Sequence, residues 1–186
     1  MTKSELRKIY LNKRKALSKD EVFVLSEKII ENFINYFKPM KSQKLHVFIA
    51  IEKFNEIRTE LLVEYCLKNK IRVFVPKVLD ELISVEIDPT TIFETNSWGI
   101  SEPITNEDSD IIDFDFIITP LLYCDHNGNR VGFGKGFYDG FFASVSAETL
   151  KIGVNFFPPE EIIEDLWEKD IALDYLVTPT EVLSFS

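Results

Sequence analysis

Glycine, histidine and cysteine are all scarce in this 186-residue chain, and each scarcity closes off a class of function. The two histidines, His46 and His126, and the two cysteines, Cys66 and Cys124, stand far apart without the spacing of a ligand set. That argues against a tetrahedral zinc centre and against a CxxC redox pair, and it fits reduced thiols in the cytoplasm. No Gly-x-Ser-x-Gly elbow is present to carry a nucleophilic serine. Positive charge is in deficit: 21 Lys and Arg face 31 Asp and Glu, a formal net charge of −10. Nucleic acid and anionic membrane are therefore not expected as partners. No apolar run approaches the ~18 residues that span a bilayer, and none follows the basic start as in a signal peptide.

What is present begins with core material. Apolar residues make up 45% of the chain and include 16 Phe, enough for one domain over residues 1–186 that buries roughly 70% of its unfolded surface. Five of the seven glycines fall in one stretch, residues 125–140, reading DHNGNRVGFGKGFYDG. Gly128, Gly132, Gly134, Gly136 and Gly140 let the backbone turn successive N–H groups toward one point, an anion nest. Arg130 and Lys135 add cations, and Asp139 supplies a carboxylate of the kind Mg²⁺ takes alongside phosphate oxygens. Asp170 and Asp125 are further metal candidates, with a plain surface acid the alternative for Asp170. The spacing matches neither the GxxxxGK[ST] phosphate loop nor GxGxxG. It therefore points to an anion without naming it.

Along the chain, Thr2 with Glu5 and Ser18 with Glu21 are capping boxes that open two helices, the second ended by Pro39. The first carries Lys3, Arg7, Lys8, Lys13, Arg14 and Lys15, either a solvated face or a set of contacts to a nucleotide triphosphate. Apolar runs predict strands at 45–50, 71–75, 82–87, 116–119, 152–154 and a last one at 175–178. Helices are expected at 59–70, capped by Thr59, and from Phe137 to Ser144, with a short helix or turn at 162–167. Residues 89–102 read as irregular or partly helical, with Trp98 in the core by default, or else at an interface or walling a flat ligand ring. His46 reads as a satisfied strand residue, Cys66 as core, and Glu56 as a site candidate or an exposed loop acid. Strands alternating with helices predict an α/β fold: a three-layer α/β/α domain, Rossmann-like, with a mostly parallel central sheet.

Arg130-Val-Gly-Phe-Gly-Lys-Gly-Phe-Tyr-Asp139, with Gly128 ahead of it, resembles the signature of the 5-formyltetrahydrofolate cyclo-ligase family. Lys3-x-x-Leu6-Arg7, Arg14-x-x-Leu17-Ser18, Asn55-Glu-Ile-x-Thr59, Gly99-Ile-x-Glu-Pro103 and Asp170…Asp174…Val177-Thr178 resemble its other segments, so the likeness covers nearly the whole chain. It implies a monomeric ligase that uses ATP and Mg²⁺ to cyclise 5-formyltetrahydrofolate to 5,10-methenyltetrahydrofolate. By the same resemblance, Lys3, Arg7 and Arg14 contact ATP, together with Arg130, Gly132, Gly134, Lys135, Gly136 and Tyr138. Lys135 and Arg130 serve the transferred phosphoryl group, Asp139 and Asp170 hold Mg²⁺, and Ile51, Glu56, Phe133 and Phe137 face the folate. Gly140 departs from the pattern, standing where the family usually has Arg. Related α/β sheets also host sugar-phosphate isomerases and coenzyme A transferases. The Lys3/Arg7 pair separates these, because a triphosphate needs the added cations and a monophosphate does not.

Overall fold

The computed structural model describes residues 1–185. Its elements run α1 (Lys3–Lys15), α2 (Lys19–Phe37), β1 (Lys44–Val47), α3 (Glu60–Lys68), β2 (Arg72–Val78), β3 (Leu82–Ile87), β4 (Phe93–Thr95), β5 (Ser101–Pro103) and β6 (Phe116–Thr119). They continue as β7 (Tyr123–Cys124), β8 (Arg130–Val131), α4 (Phe137–Ser144), β9 (Leu150–Val154), β10 (Tyr175–Val177) and β11 (Val182–Ser184). The central sheet has the order β11-β10-β9-β6-β1-β2-β3. Its five inner strands are parallel, and β3 and β11 close the edges antiparallel. This is the mostly parallel α/β sheet expected.

Side chains alternate across the sheet with period two. Leu45, Val47, Val73, Val75, Ile118, Ile152 and Val177 pack with α2 and α3 on one face. Phe74, Ile117 and Leu176 pack with Phe141 and Phe142 of α4 on the other. Both capping boxes form, with Thr2 and Ser18 each accepting the N–H of the Glu three residues on. α2 ends at Lys38 in a left-handed conformation (φ 46°), just ahead of Pro39. Cys66 is a buried core residue, as expected.

Several local expectations are corrected. Residues 89–102 hold no helix; β4 and β5 form an antiparallel hairpin, and Trp98 at its turn is 72% exposed rather than in the core. Residues 162–167 are irregular. β10 is followed by β11, which pairs back on it. Thr59 precedes α3 without capping it, since its hydroxyl donates to the Phe48 carbonyl at 2.7 Å. His46 lies in β1 as expected but is not satisfied: both ring nitrogens are buried without a hydrogen-bond partner among the described residues. Its ring packs as an aromatic against Phe141 and Phe114, with centroids 4.6 and 5.5 Å away. Burial keeps it neutral, pushing its pKa down to about 3. Among the described residues no helix is long and apolar enough to cross a membrane.

Candidate active site

The chain leaves β1 through α3 toward β2, and leaves β6 through α4 toward β9. The neighbouring strands β1 and β6 therefore send their connections in opposite directions. In open α/β sheets that switch point opens a crevice beyond the carboxyl ends of the strands. Residues 48–56 follow β1 there, and residues 120–136 follow β6. Two apolar steps after β6, Tyr123–Cys124 turns back on Arg130–Val131 as the hairpin β7–β8. Asp125 holds the hairpin turn. It is fully buried and accepts from the N–H groups of Asn127, Asn129 and Ile163 and from Asn129 Nδ2. Both of its carboxylate oxygens are taken by these bonds, so Asp125 serves the turn and not the metal ligand set that its residue type suggests. Gly128 takes φ +80° at the turn, with no room for a side chain: a Cβ would lie 2.7 Å from the Leu173 carbonyl.

The glycine loop, residues 132–136, joins β8 to α4. Gly134 and Gly136 adopt φ of +86° and +71°, and Gly136 stands at the N-terminus of α4. Left-handed glycines beside the positive end of a helix are the makings of an anion site. Lys135 is exposed on it.

α1 supplies the facing wall. Leu6 and Tyr10 pack into a cluster with Leu122, Tyr123, Val131 and Ile163, which turns Lys3 and Arg7 toward the loop. Arg7 Nε donates to the Gly132 carbonyl at 2.9 Å, and its guanidinium lies against Gly134. Lys3 Nζ pairs with Asp170 Oδ2, which also accepts the Trp167 N–H at 2.7 Å. Partial burial opposes ionisation of Asp170, but the Lys3 and Trp167 hydrogen bonds outweigh it and hold its pKa below the usual carboxylate value.

Arg130 and Asp139 form the second charge pair, Nη2 to Oδ1 at 2.8 Å. Asp139 Oδ1 also accepts the Ile171 N–H at 3.1 Å, and Arg130 Nη1 donates to the Ile171 carbonyl. Arg130 therefore clips the start of α4 to the segment that carries Asp170, and its guanidinium rests 4.7 Å from the Phe142 ring centre. This clip ties one candidate metal carboxylate, Asp139, to the backbone of the residue that follows the other, Asp170. The described residues contain no group of three or more His, Cys, Asp or Glu able to hold a metal. The donor set fits Mg²⁺, which takes one or two carboxylates and completes its shell with phosphate oxygens and water.

The other wall is built from the loop after β1. Glu56, one reading of which was an exposed acid, is 3% exposed and accepts the Ile51 N–H at 2.8 Å. Burial raises its pKa, against the lowering influence of that N–H and of Arg14. Arg14 is also 3% exposed, and unlike Arg7 it makes no hydrogen bond to the glycine-loop backbone among the described residues. It donates through Nη1 to the Leu121 carbonyl at 3.2 Å, and its charge neighbour is Glu56. Asn55 Nδ2 ties this loop to the end of α1 by donating to the Arg14 and Leu17 carbonyls, both at 3.0 Å. Phe133 reaches across from the glycine loop to Phe54, with ring centres 5.4 Å apart. Phe133 and Phe137 are each more than a third exposed. Lys53 Nζ holds the Trp98 carbonyl at 2.7 Å, which brings the β4–β5 turn beside the Phe54 loop. The burial of Glu56 and the position of Arg14 depend on long-range packing and leave no trace in local spacing.

Fold and local geometry together define an open α/β architecture whose switch point is bordered by a glycine loop, with cations beside it, and by a buried carboxylate. Comparison with known proteins gives the family. Residues 1–179 match the model of the 5-formyltetrahydrofolate cyclo-ligase family. The chain belongs to that family, and it is accordingly an enzyme of the ligase class. It is 28% identical over 178 residues to the 5-formyltetrahydrofolate cyclo-ligase of Mycoplasma pneumoniae, covering 95% of this chain and 98% of that protein. A probable 5-formyltetrahydrofolate cyclo-ligase of Schizosaccharomyces pombe is 32% identical, with 69% of this chain and 71% of the relative covered. Among solved structures, 5,10-methenyltetrahydrofolate synthetase of Aquifex aeolicus superposes with a TM-score of 0.84 at 36% identity, covering 100% of this chain and 93% of that one.

Proposed function

We propose that the protein cyclises 5-formyltetrahydrofolate to 5,10-methenyltetrahydrofolate at the expense of ATP and with Mg²⁺, releasing ADP and phosphate. The observation that carries this reading is the docking of Arg7 onto the Gly132–Gly134 backbone, with Lys3 beside it. A glycine nest alone suits a single phosphate. Added cations from a second element suit a triphosphate.

The formyl oxygen on nitrogen 5 attacks the γ-phosphorus, and ADP leaves. The amide oxygen, a poor leaving group, becomes a phosphate ester. Nitrogen 10 then adds to the activated carbon, loses its proton, and phosphate departs to leave the methenyl bridge. Catalysis of such a transfer is mainly positioning and charge neutralisation. In this reading the loop N–H groups and Lys135 hold the transferred phosphoryl group. Lys3 and Arg7 hold the remaining phosphates, while Arg130 fixes the loop and Asp139. Asp139 and Asp170 would hold Mg²⁺, which would supply neutralisation of phosphate charge. Glu56 accepts the N–H edge of the pterin beside Ile51. Phe133, Phe137 and the exposed Trp98 offer flat faces to the folate rings.

The test is direct: purified protein with 5-formyltetrahydrofolate, Mg²⁺ and ATP, followed by the absorbance of the conjugated methenyl product. Product formation that requires ATP is the expected result. Folded protein that makes none at saturating substrates refutes the proposal.

A further inference from the structure

Arg14 is a buried guanidinium with most of its hydrogen-bonding capacity unmet. Nη1 reaches the Leu121 carbonyl, but Nε and Nη2 are buried without a partner among the described residues. A guanidinium donates in a fixed fork and cannot accept. Leaving buried donors without acceptors is costly, and native proteins rarely do so without a reason. There is a second orphan: Tyr138 Oη is also buried and unpartnered among the described residues. Glu56 is a charge neighbour of both. An aromatic face completes the surroundings, since the Phe133 ring centre lies 5.9 Å from the Arg14 guanidinium. Around one buried carboxylate there are thus two side chains with N–H or O–H groups that lack an acceptor.

The donors and acceptors of a pterin edge complement those groups. Its 2-amino group and N3–H are donors, suited to a carboxylate. The adjacent 4-oxo oxygen is an acceptor and needs a donor from the protein. We infer that Arg14 and Tyr138 donate to the 4-oxo oxygen of the folate while Glu56 accepts from its N–H edge, so that Arg14 selects 4-oxo folates against 4-amino ones. The inference rests on the reading of Glu56 as the pterin carboxylate and gives Arg14 to the folate rather than to ATP. In a 4-amino ring the acceptor is replaced by a donor and N3 loses its hydrogen, so Glu56 loses one partner too. The Tyr138 hydroxyl can rotate to accept from the amino group, whereas Arg14 cannot, so Arg14 adds a penalty that its removal relieves.

The experiment is calorimetry without ATP, comparing 5-formyltetrahydrofolate with its 4-amino-4-deoxy analogue on the wild type, Arg14→Met and Tyr138→Phe. MgATP is titrated separately into each protein. The wild type should prefer the 4-oxo ligand. Arg14→Met, which keeps the volume, should weaken 5-formyltetrahydrofolate by roughly 10- to 100-fold, the range for a hydrogen bond to a charged group. It should leave the 4-amino analogue unchanged or tighter, and MgATP unchanged. Tyr138→Phe removes one oxygen and should lower the 4-oxo affinity by roughly 5-fold, which keeps the idea testable should Arg14→Met fail to fold. Equal binding of both folates by the wild type overturns the inference and leaves the proposed reaction standing. So does a loss in Arg14→Met that is the same for both folates, or one that falls on MgATP. Binding of neither folate by the wild type removes the reading of Glu56 as well.

Discussion

Asp139 has two roles that a pair of substitutions can separate. Its Oδ1 accepts from Arg130 Nη2 at 2.8 Å and from the Ile171 N–H at 3.1 Å. The Arg130 side chain is 9% exposed and that of Asp139 27%. Asp139→Ala removes both bonds and leaves a nearly buried guanidinium without its counter-charge. For a fully buried pair that costs about 3–5 kcal/mol, and the partial exposure of Asp139 brings it to about 2 kcal/mol. Asp139→Asn keeps an oxygen for the same donors, though without charge. A charge-assisted bond is about twice as strong as a neutral one, so the Asn variant should lose about 1 kcal/mol. At this chain length each kcal/mol moves the melting temperature by about 2–4 °C. If Asp139 also holds Mg²⁺, both variants lose the anionic oxygen, and both should lose about 10²–10³-fold in rate. Thermal unfolding and Mg²⁺ titrations of methenyl formation read the two effects separately. An Asn variant that turns over within twofold of wild type makes Asp139 a partner of Arg130 and nothing more. An Ala variant as stable as Asn refutes the clip.

A methyl group on Gly132 would meet nothing within 4 Å, and the backbone there is not left-handed, so Gly132→Ala should fold with stability changed by less than about 0.5 kcal/mol. If ATP lies on the loop, the same methyl obstructs it, and KM for MgATP should rise about tenfold in steady-state assays; an unchanged KM argues that the phosphates lie elsewhere. His46 predicts a pH effect on stability. Its pKa falls from 6.5 to about 3 on burial, so above pH 6.5 both folded and unfolded forms are neutral and the contribution is complete. Below 6.5 the unfolded chain takes up a proton that the folded one refuses, and stability falls by up to about 1.4 kcal/mol per pH unit until pH 3. Urea unfolding should therefore show about 1.4 kcal/mol lost between pH 7.5 and 5.5 in the wild type beyond that in His46→Phe. The raised pKa of Glu56 works in the opposite direction, but equally in both proteins; parallel curves would refute the assignment.

The layers were legible because local pattern carries them. Thr2/Glu5 and Ser18/Glu21 announce helix starts through bonds made within four residues, and runs such as Phe116–Thr119 are apolar on both faces because helices cover both. The glycine loop was legible for the same reason: its conformation is set by its own residues. What failed depended on distant partners. Trp98 looks like core material in composition, yet its hairpin stands out from the sheet and leaves it exposed. β7, β8 and β11 are strands of two or three residues, too short for any periodicity. Arg14 sits on the same basic helix as Lys3 and Arg7. Only the Leu121 carbonyl after β6, which accepts from its Nη1, reveals that its guanidinium is buried away from the Gly132–Gly134 backbone that Arg7 holds.

That helix is where so acidic a protein gathers positive charge for the polyphosphate proposed above. Its start is docked through the Met1 ammonium, which pairs with Glu164 at 2.9 Å and donates to the Ile162 carbonyl at 3.0 Å. The Glu164 N–H returns a bond to the Met1 carbonyl at 3.0 Å, and the Lys3 N–H donates to Asp165 at 2.6 Å. Acidic residues near the far end of the chain thus fix the first turn of a basic helix, which in turn sets cations over a glycine loop from the middle. Around that loop Lys3 and Arg130 are matched by Asp170 and Asp139, while Arg7 and Lys135 add positive charge with no ion-pair partner within 4 Å among the described residues. The local balance is therefore positive in a chain whose formal net charge is −10. Screening confines most charge interactions to about 8 Å at physiological salt, so the ligand meets the local field rather than the total. A magnesium-complexed triphosphate, itself a dianion, matches the two unpaired cations in charge.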